Sequence, residues 1–191
     1  MDKGVTMMQR KLLAGIAVMG FVAGGSAIAV AATGAAPKHT TINAVTSTVV
    51  KINRYFQDGT RWQNDVYRVR SGGTITIVNL AASDGPHTFS VVRRSDLPRT
   101  LNQINNCKIC QTVGQELGAN PQSQAPPKFL FVENGKGSTT PPNVDRPGDS
   151  AFIAPTQHAK VTLTVTAKPG TTLYFMCVIH PWMQAKLVVG H

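Results

Sequence analysis

Cysteine is scarce in this 191-residue chain, which has only three, and acidic side chains are few, nine against nineteen basic ones. No cysteine precedes Cys107, so no lipid can be carried on a cysteine near the start, and Arg10-Lys11 is not a twin-arginine pair. Cys107-Lys-Ile-Cys110 has no second pair with which to close a tetrahedral zinc site. Gln111 follows it where haem attachment requires histidine. A sustained helical period is also missing, as is the βαβ setting in which a thioredoxin-like Cys-x-x-Cys normally sits. Histidine is confined to His39, His87, His158, His180 and His191, and no two of these form a His-x-His pair.

The first thirty or so residues are set apart from the rest. Lys3, Arg10 and Lys11 precede an apolar run from Leu12 to about Val30, and Ala27-Ile-Ala29 and Ala29-Val-Ala31 offer the small residues that a signal peptidase needs. Residues 1–31 read as a secretory signal, with an uncleaved membrane anchor as the alternative, because the run is close to spanning length. An exported, periplasmic or otherwise extracytoplasmic chain is expected. Residues 32–191 suit one domain with a sizeable core, the whole chain being 42% hydrophobic. This part holds sixteen basic and eight acidic residues, a net charge of +8. Such a surface favours an acidic partner through electrostatic steering. Export and the lack of any recognised reading motif argue against nucleic acid.

Turns and alternating strands punctuate the mature region. Val45 to Ile52 and Tyr67 to Arg70 are candidate strands, and Thr74 to Leu80 alternates apolar and polar side chains after Gly72-Gly73. Thr88 to Val92, Lys160 to Thr166, Leu173 to Met176 and Ala185 to Val189 complete the set. The expected fold is all-β, a two-sheet Greek-key sandwich.

Between the last two of these strands, Cys177, His180 and Met183 stand three residues apart. A thiolate, an imidazole and a thioether on one short loop suit copper, whereas calcium and magnesium require oxygen ligands and zinc rarely recruits methionine. His87 in Gly85-Pro-His87, at the mouth of a strand, supplies the missing second imidazole. In such a set two imidazoles and a thiolate form the equatorial ligands and the methionine a weak axial one.

On Pro86-His87 and Cys177-x-x-His180-x-x-Met183 the chain resembles the cupredoxin family of small blue copper proteins, with a loop spacing most like the amicyanin subgroup. The resemblance covers roughly residues 43–92 and 151–190. It implies one type 1 copper held by His87, Cys177, His180 and Met183, and a cupredoxin-like domain over 32–191. It also implies a ring edge of His180 at the surface, with Pro181 and Trp182 in a docking patch for redox partner proteins. Ala185 stands where the family commonly has glycine. A dinuclear centre needs a second cysteine in the loop, multicopper oxidases need His-x-His motifs, and copper nitrite reductases need a further histidine cluster; none is present. Four protein ligands leave no open position, so electron transfer rather than catalysis is expected, with a copper(I) carrier, chaperone or storage module as the alternative.

The region from about Arg93 to Ser150 is not covered by the resemblance. It reads as a long, partly irregular insertion between the two ligand motifs, rich in Pro, Gly, Asn, Gln and Ser over 119–150. Only Lys128 to Val132 looks like a strand there, and Leu101 to Leu117 carries a rough helical stripe. Cys107 and Cys110 are expected to form a local disulfide, a redox-active or copper-accepting dithiol being the other reading.

Overall fold

The computed structural model describes residues 35–123 and 125–191. The expected export segment, residues 1–31, lies outside them. Among the described residues no helix is long and apolar enough to cross a membrane.

The chain forms two packed sheets. Strands β1 (His39–Val45), β2 (Val49–Lys51), β3 (Tyr55–Gln57), β4 (Arg61–Trp62), β5 (Val66–Arg70) and β6 (Thr74–Asn79) lead to β7 (His87–Val92). Helices α1 (Leu101–Asn105) and α2 (Lys108–Glu116) follow. Then come β8 (Phe131–Glu133), β9 (Lys136–Ser138), β10 (Asn143–Val144), β11 (Ser150–Ile153), β12 (Lys160–Val165), β13 (Thr172–Met176) and β14 (Gln184–Gly190). One sheet has the order β10-β12-β6-β1-β4, the other β5-β14-β13-β7-β11-β8-β9, and β2 and β3 pair as a separate hairpin. The chain changes sheet at each step from β4 to β7 and at each step from β9 to β13, so the connections cross the sandwich as a Greek key requires.

Alternation decides what faces inward. In β6 Ile75, Ile77 and Asn79 are buried while the residues between them are not, and in β12 Leu163 and Val165 face the same core. Phe175 on β13 sits among the rings of Trp62, Tyr67 and Phe89, with centroids 5.6, 6.0 and 4.6 Å away. Contacts of this kind contribute about 0.5–1.5 kcal/mol each beyond area burial. β7 is buried on both faces along its whole length, because the core covers one side and the helical segment the other.

Three expectations need correction. The Val45 to Ile52 strand is not one element: β1 ends at Val45, and Val49, Val50 and Ile52 lie exposed on the separate hairpin. β1 itself begins earlier, at His39, pairing in parallel with β6 from His39↔Thr74 to Ala44↔Asn79. The helical stripe from Leu101 to Leu117 is broken into α1 and α2 around Asn106 and Cys107, because Cys107 takes an extended backbone and caps α2 through its sulfur. The 93–150 region is also more ordered than its composition suggests. β8 and β9 extend one sheet beyond β11, and β10 adds an edge strand to the other beside β12. Proline and glycine mark where the chain turns here, while tertiary pairing supplies the strands.

Candidate metal centre

The two ligand-bearing segments meet at one end of the sandwich. β7 starts at His87, two residues after Gly85, whose φ of 97° is a left-handed value that favours glycine, and the β13–β14 connection carries Cys177, His180 and Met183. That connection is closed on itself: Cys177 N–H donates to the Met183 carbonyl at 3.0 Å and Met183 N–H donates to the His180 carbonyl at 2.8 Å. Because β7 pairs with β13, with Ser90 opposite Met176, the start of β7 is held against the loop that leaves β13.

The structure brings His87, Cys177 and His180 together, one donor atom from each lying within 4.8 Å of the others. Cys177 Sγ is 3.9 Å from His87 Nδ1 and 3.7 Å from His180 Nδ1. His87, Cys177 and Met183 are fully buried, and His180 is 8% exposed. Met183 belongs to the same buried cluster as Cys177. His158, by contrast, lies exposed at the turn before β12. Burial pushes His87 down to about 4, helped by the neighbouring His180 and opposed by the Ala81 backbone, Asp84 and Asp58. Burial lowers His180 as well, against the pull of Asp58 and Asp84. Both imidazoles are therefore neutral near pH 7 and have lone pairs to donate. Burial raises the Cys177 thiol, while backbone amides around it act the other way. Two neutral imidazoles and the Cys177 sulfur converge in a buried site, with Met183 buried in the same core. The donor set fits a soft or borderline transition metal and lacks the oxygens that a hard cation requires.

Several residues that hold these donors carry no motif. Thr88 donates its backbone N–H to Cys177 Sγ at 3.3 Å, and its hydroxyl accepts Val178 N–H at 2.9 Å. Ser90 donates to that hydroxyl and shares a hydrogen bond with Ser150, so a buried polar row runs from the thiol into the neighbouring strand. Trp62 donates its indole N–H to the Met183 carbonyl at 3.2 Å and packs 6.4 Å from the His87 ring. Asn79, fully buried, donates to the carbonyls of Gly85 and Ala154, both at 3.1 Å, and accepts Ala81 N–H at 2.9 Å. It thereby fastens the loop that delivers His87. The alternation of β6 could have pointed to it, since Asn79 continues the inward register of Ile75 and Ile77. On the outer side Trp182, 40% exposed, packs edge-on to His180 at 5.5 Å and donates to the Thr60 carbonyl. Ile179 beside it is also exposed. Gln184 donates to the carbonyls of Pro181 and Pro98, both at 2.8 Å, tying the loop to the start of the 93–150 region.

No protein-family model matches the chain, and no curated protein does. Solved structures do. An auracyanin from Roseiflexus castenholzii is 14% identical with a TM-score of 0.41, the match covering 82% of this chain and 99% of that one. Auracyanin A, a "blue" copper protein from Chloroflexus aurantiacus, is 19% identical with a TM-score of 0.40, covering 81% and 99%. A purple cupredoxin from Nitrosopumilus maritimus is 10% identical with a TM-score of 0.36, covering 79% and 99%. The structural neighbours thus include the family that the ligand motifs resemble. At these scores the functional reading rests on the donor set of the site itself.

Proposed function

We propose that the chain is an exported, mononuclear type 1 copper protein that carries single electrons between redox partner proteins. The observation that carries this reading is the buried convergence of His87 Nδ1, Cys177 Sγ and His180 Nδ1, on the loop that also bears the buried Met183. Copper bound there would supply a one-electron couple between its +1 and +2 states. Cys177 would be the thiolate ligand, with negative charge on its sulfur favoured by the Thr88 N–H. His87 and His180 would donate through Nδ1, and Met183 would offer its thioether sulfur. Trp62, Asn79 and the closed backbone of the loop hold these side chains in place before any metal arrives, so little reorganisation accompanies a change of charge at the site. His180 is the one donor residue that reaches solvent. Ile179 and Trp182 around it form a small apolar patch on a basic protein, which suits brief contact with an acidic partner.

Adding copper(II) to the metal-free protein and recording a visible spectrum tests the reading. An intense thiolate-to-copper band that bleaches reversibly on reduction is expected, together with its loss in Cys177→Ser. A tight copper(I) complex without such a band would replace the electron carrier by a copper(I) carrier. No stoichiometric metal at all would end both.

A further inference from the structure

The one cysteine pair is not among the metal donors, although Cys107 packs beside Met176 and Val178. Cys107 and Cys110 are joined as a disulfide, with Cα atoms 5.2 Å apart, at the start of the nine-residue helix α2. A staple between residues only three apart closes a very short loop and constrains the unfolded chain far less than a long-range bridge would. It joins no two elements of the sandwich, although both cysteines pack in one cluster with Val92 of β7 and Met176 of β13. Its setting suits chemistry better. Cys107 lines an open groove of about 550 Å³, whose walls include Arg93, Leu97, Pro98, Gln103 and Lys108. Cys107 caps α2, its sulfur accepting Cys110 N–H at 3.2 Å. The first amides of a helix favour negative charge on a sulfur placed there. Asp96, the one acidic residue of the groove wall, is paired with Arg93 at 2.9 Å, which leaves Lys108 as the unneutralised charge.

We propose that Cys107–Cys110 is a second redox site, a thiol–disulfide exchange centre that accepts two electrons from an acidic, dithiol-bearing peptide segment lying in this groove. A thiolate of the peptide attacks the sulfur of Cys107, a residue that is 8% exposed and lines the groove. A peptide-S–S-Cys107 bond forms, the Cys107–Cys110 bond breaks, and the departing Cys110 sulfur takes a proton from water. The second peptide thiolate then attacks the peptide sulfur of the mixed disulfide. Cys107 leaves as a thiolate held by the Cys110 N–H and is protonated in turn. The peptide ends as a disulfide and Cys107 and Cys110 as two thiols, so two electrons and two protons have moved and no further oxidant is required. The step does not pass through the metal donors: Cys177 is free, fully buried and outside the groove.

The test uses the full chain, folded and free of added copper, mixed with a synthetic acidic peptide containing two cysteines. Acid quenching, alkylation and mass spectrometry then locate the thiols. Two new alkyl groups on Cys107 and Cys110 are expected in native buffer, with Cys177 unmodified. The Cys110→Ser variant, in which Cys107 is a free thiol, should form a mixed disulfide on Cys107 when the peptide is supplied in its disulfide form. A basic peptide of the same length should react roughly tenfold more slowly, the low end of electrostatic steering, and Lys108→Glu should erase that preference. A disulfide that resists the peptide until urea unfolds the protein would overturn the proposal, as would equal rates for the two peptides. Neither result depends on whether copper binds at Cys177, so this inference and the copper reading fail separately.

Discussion

Replacing Asn79 by alanine should loosen the metal-free protein more than any other single polar change near the site. The side chain makes three hydrogen bonds, to the Gly85 carbonyl, the Ala154 carbonyl and the Ala81 N–H. Each contributes about 0.5–1.5 kcal/mol net when water can replace the lost partner, as at exposed Ala154. Ala81 is 1% exposed, so its N–H is left buried without a partner at a cost of about 1–3 kcal/mol. The expected loss is about 2–6 kcal/mol. With a urea slope of about 2 kcal/mol per molar, the unfolding midpoint falls by about 1–3 M. Urea titration of the metal-free protein, followed by the fluorescence of the buried Trp62, measures it directly. Asn79→Asp serves as the control. It keeps the acceptor for Ala81 but turns a carboxylate toward two carbonyls, and its deficit relative to the wild type should shrink as pH falls and the carboxyl regains a donor proton. A loss below about 0.5 kcal/mol in Asn79→Ala, the size of an ordinary surface change, would refute the claim that this residue holds the His87 loop.

Metal-free protein should lose stability as pH falls from about 6.5 to about 4. The folded state holds His87 neutral down to about 4 while the unfolded chain protonates it near 6.5, so the unfolded state binds the extra proton in that window. At about 1.4 kcal/mol per pH unit the His87 contribution reaches up to ~3 kcal/mol, with His180 acting in the same direction, and urea midpoints that stay flat over this range would contradict it. Trp62→Phe should cost only about 0.5–1.5 kcal/mol, because the Met183 carbonyl keeps its bond from Cys177 N–H, whereas Trp62→Ala should cost about 3–5 kcal/mol in the same assay. Thr88→Val removes the acceptor for Val178 N–H but leaves the backbone N–H to Cys177 Sγ. It should lower thermal stability by about 1–3 kcal/mol while a copper-dependent visible band, if present in the wild type, survives.

The alternating strands were legible because a half-buried strand writes its burial into every second residue, as Ile75, Ile77, Leu163 and Val165 show. β1 was misplaced because Thr40 and Thr41 carry little apolar signal and because Val49, Val50 and Ile52, which carry much, are exposed on a hairpin outside both sheets. β9 and β10 were invisible for the same reason. Their two or three residues are strand only because β8 and β12 offer them free edges.

The sequence by itself determined the candidate donors, since Cys177, His180 and Met183 share one loop and a three-residue spacing is a local property of the chain. It also determined that one cysteine lies in that loop and that two others sit three apart elsewhere. Only the tertiary structure decided that His87, ninety positions away, faces the same sulfur, because that depends on β7 pairing with β13 across the sheet. Tertiary packing alone also recruited Trp62, Asn79 and Thr88 as supports and opened a groove beside Cys107. Short-range spacing is carried by covalent geometry, whereas these contacts exist only after two sheets have closed on a common core.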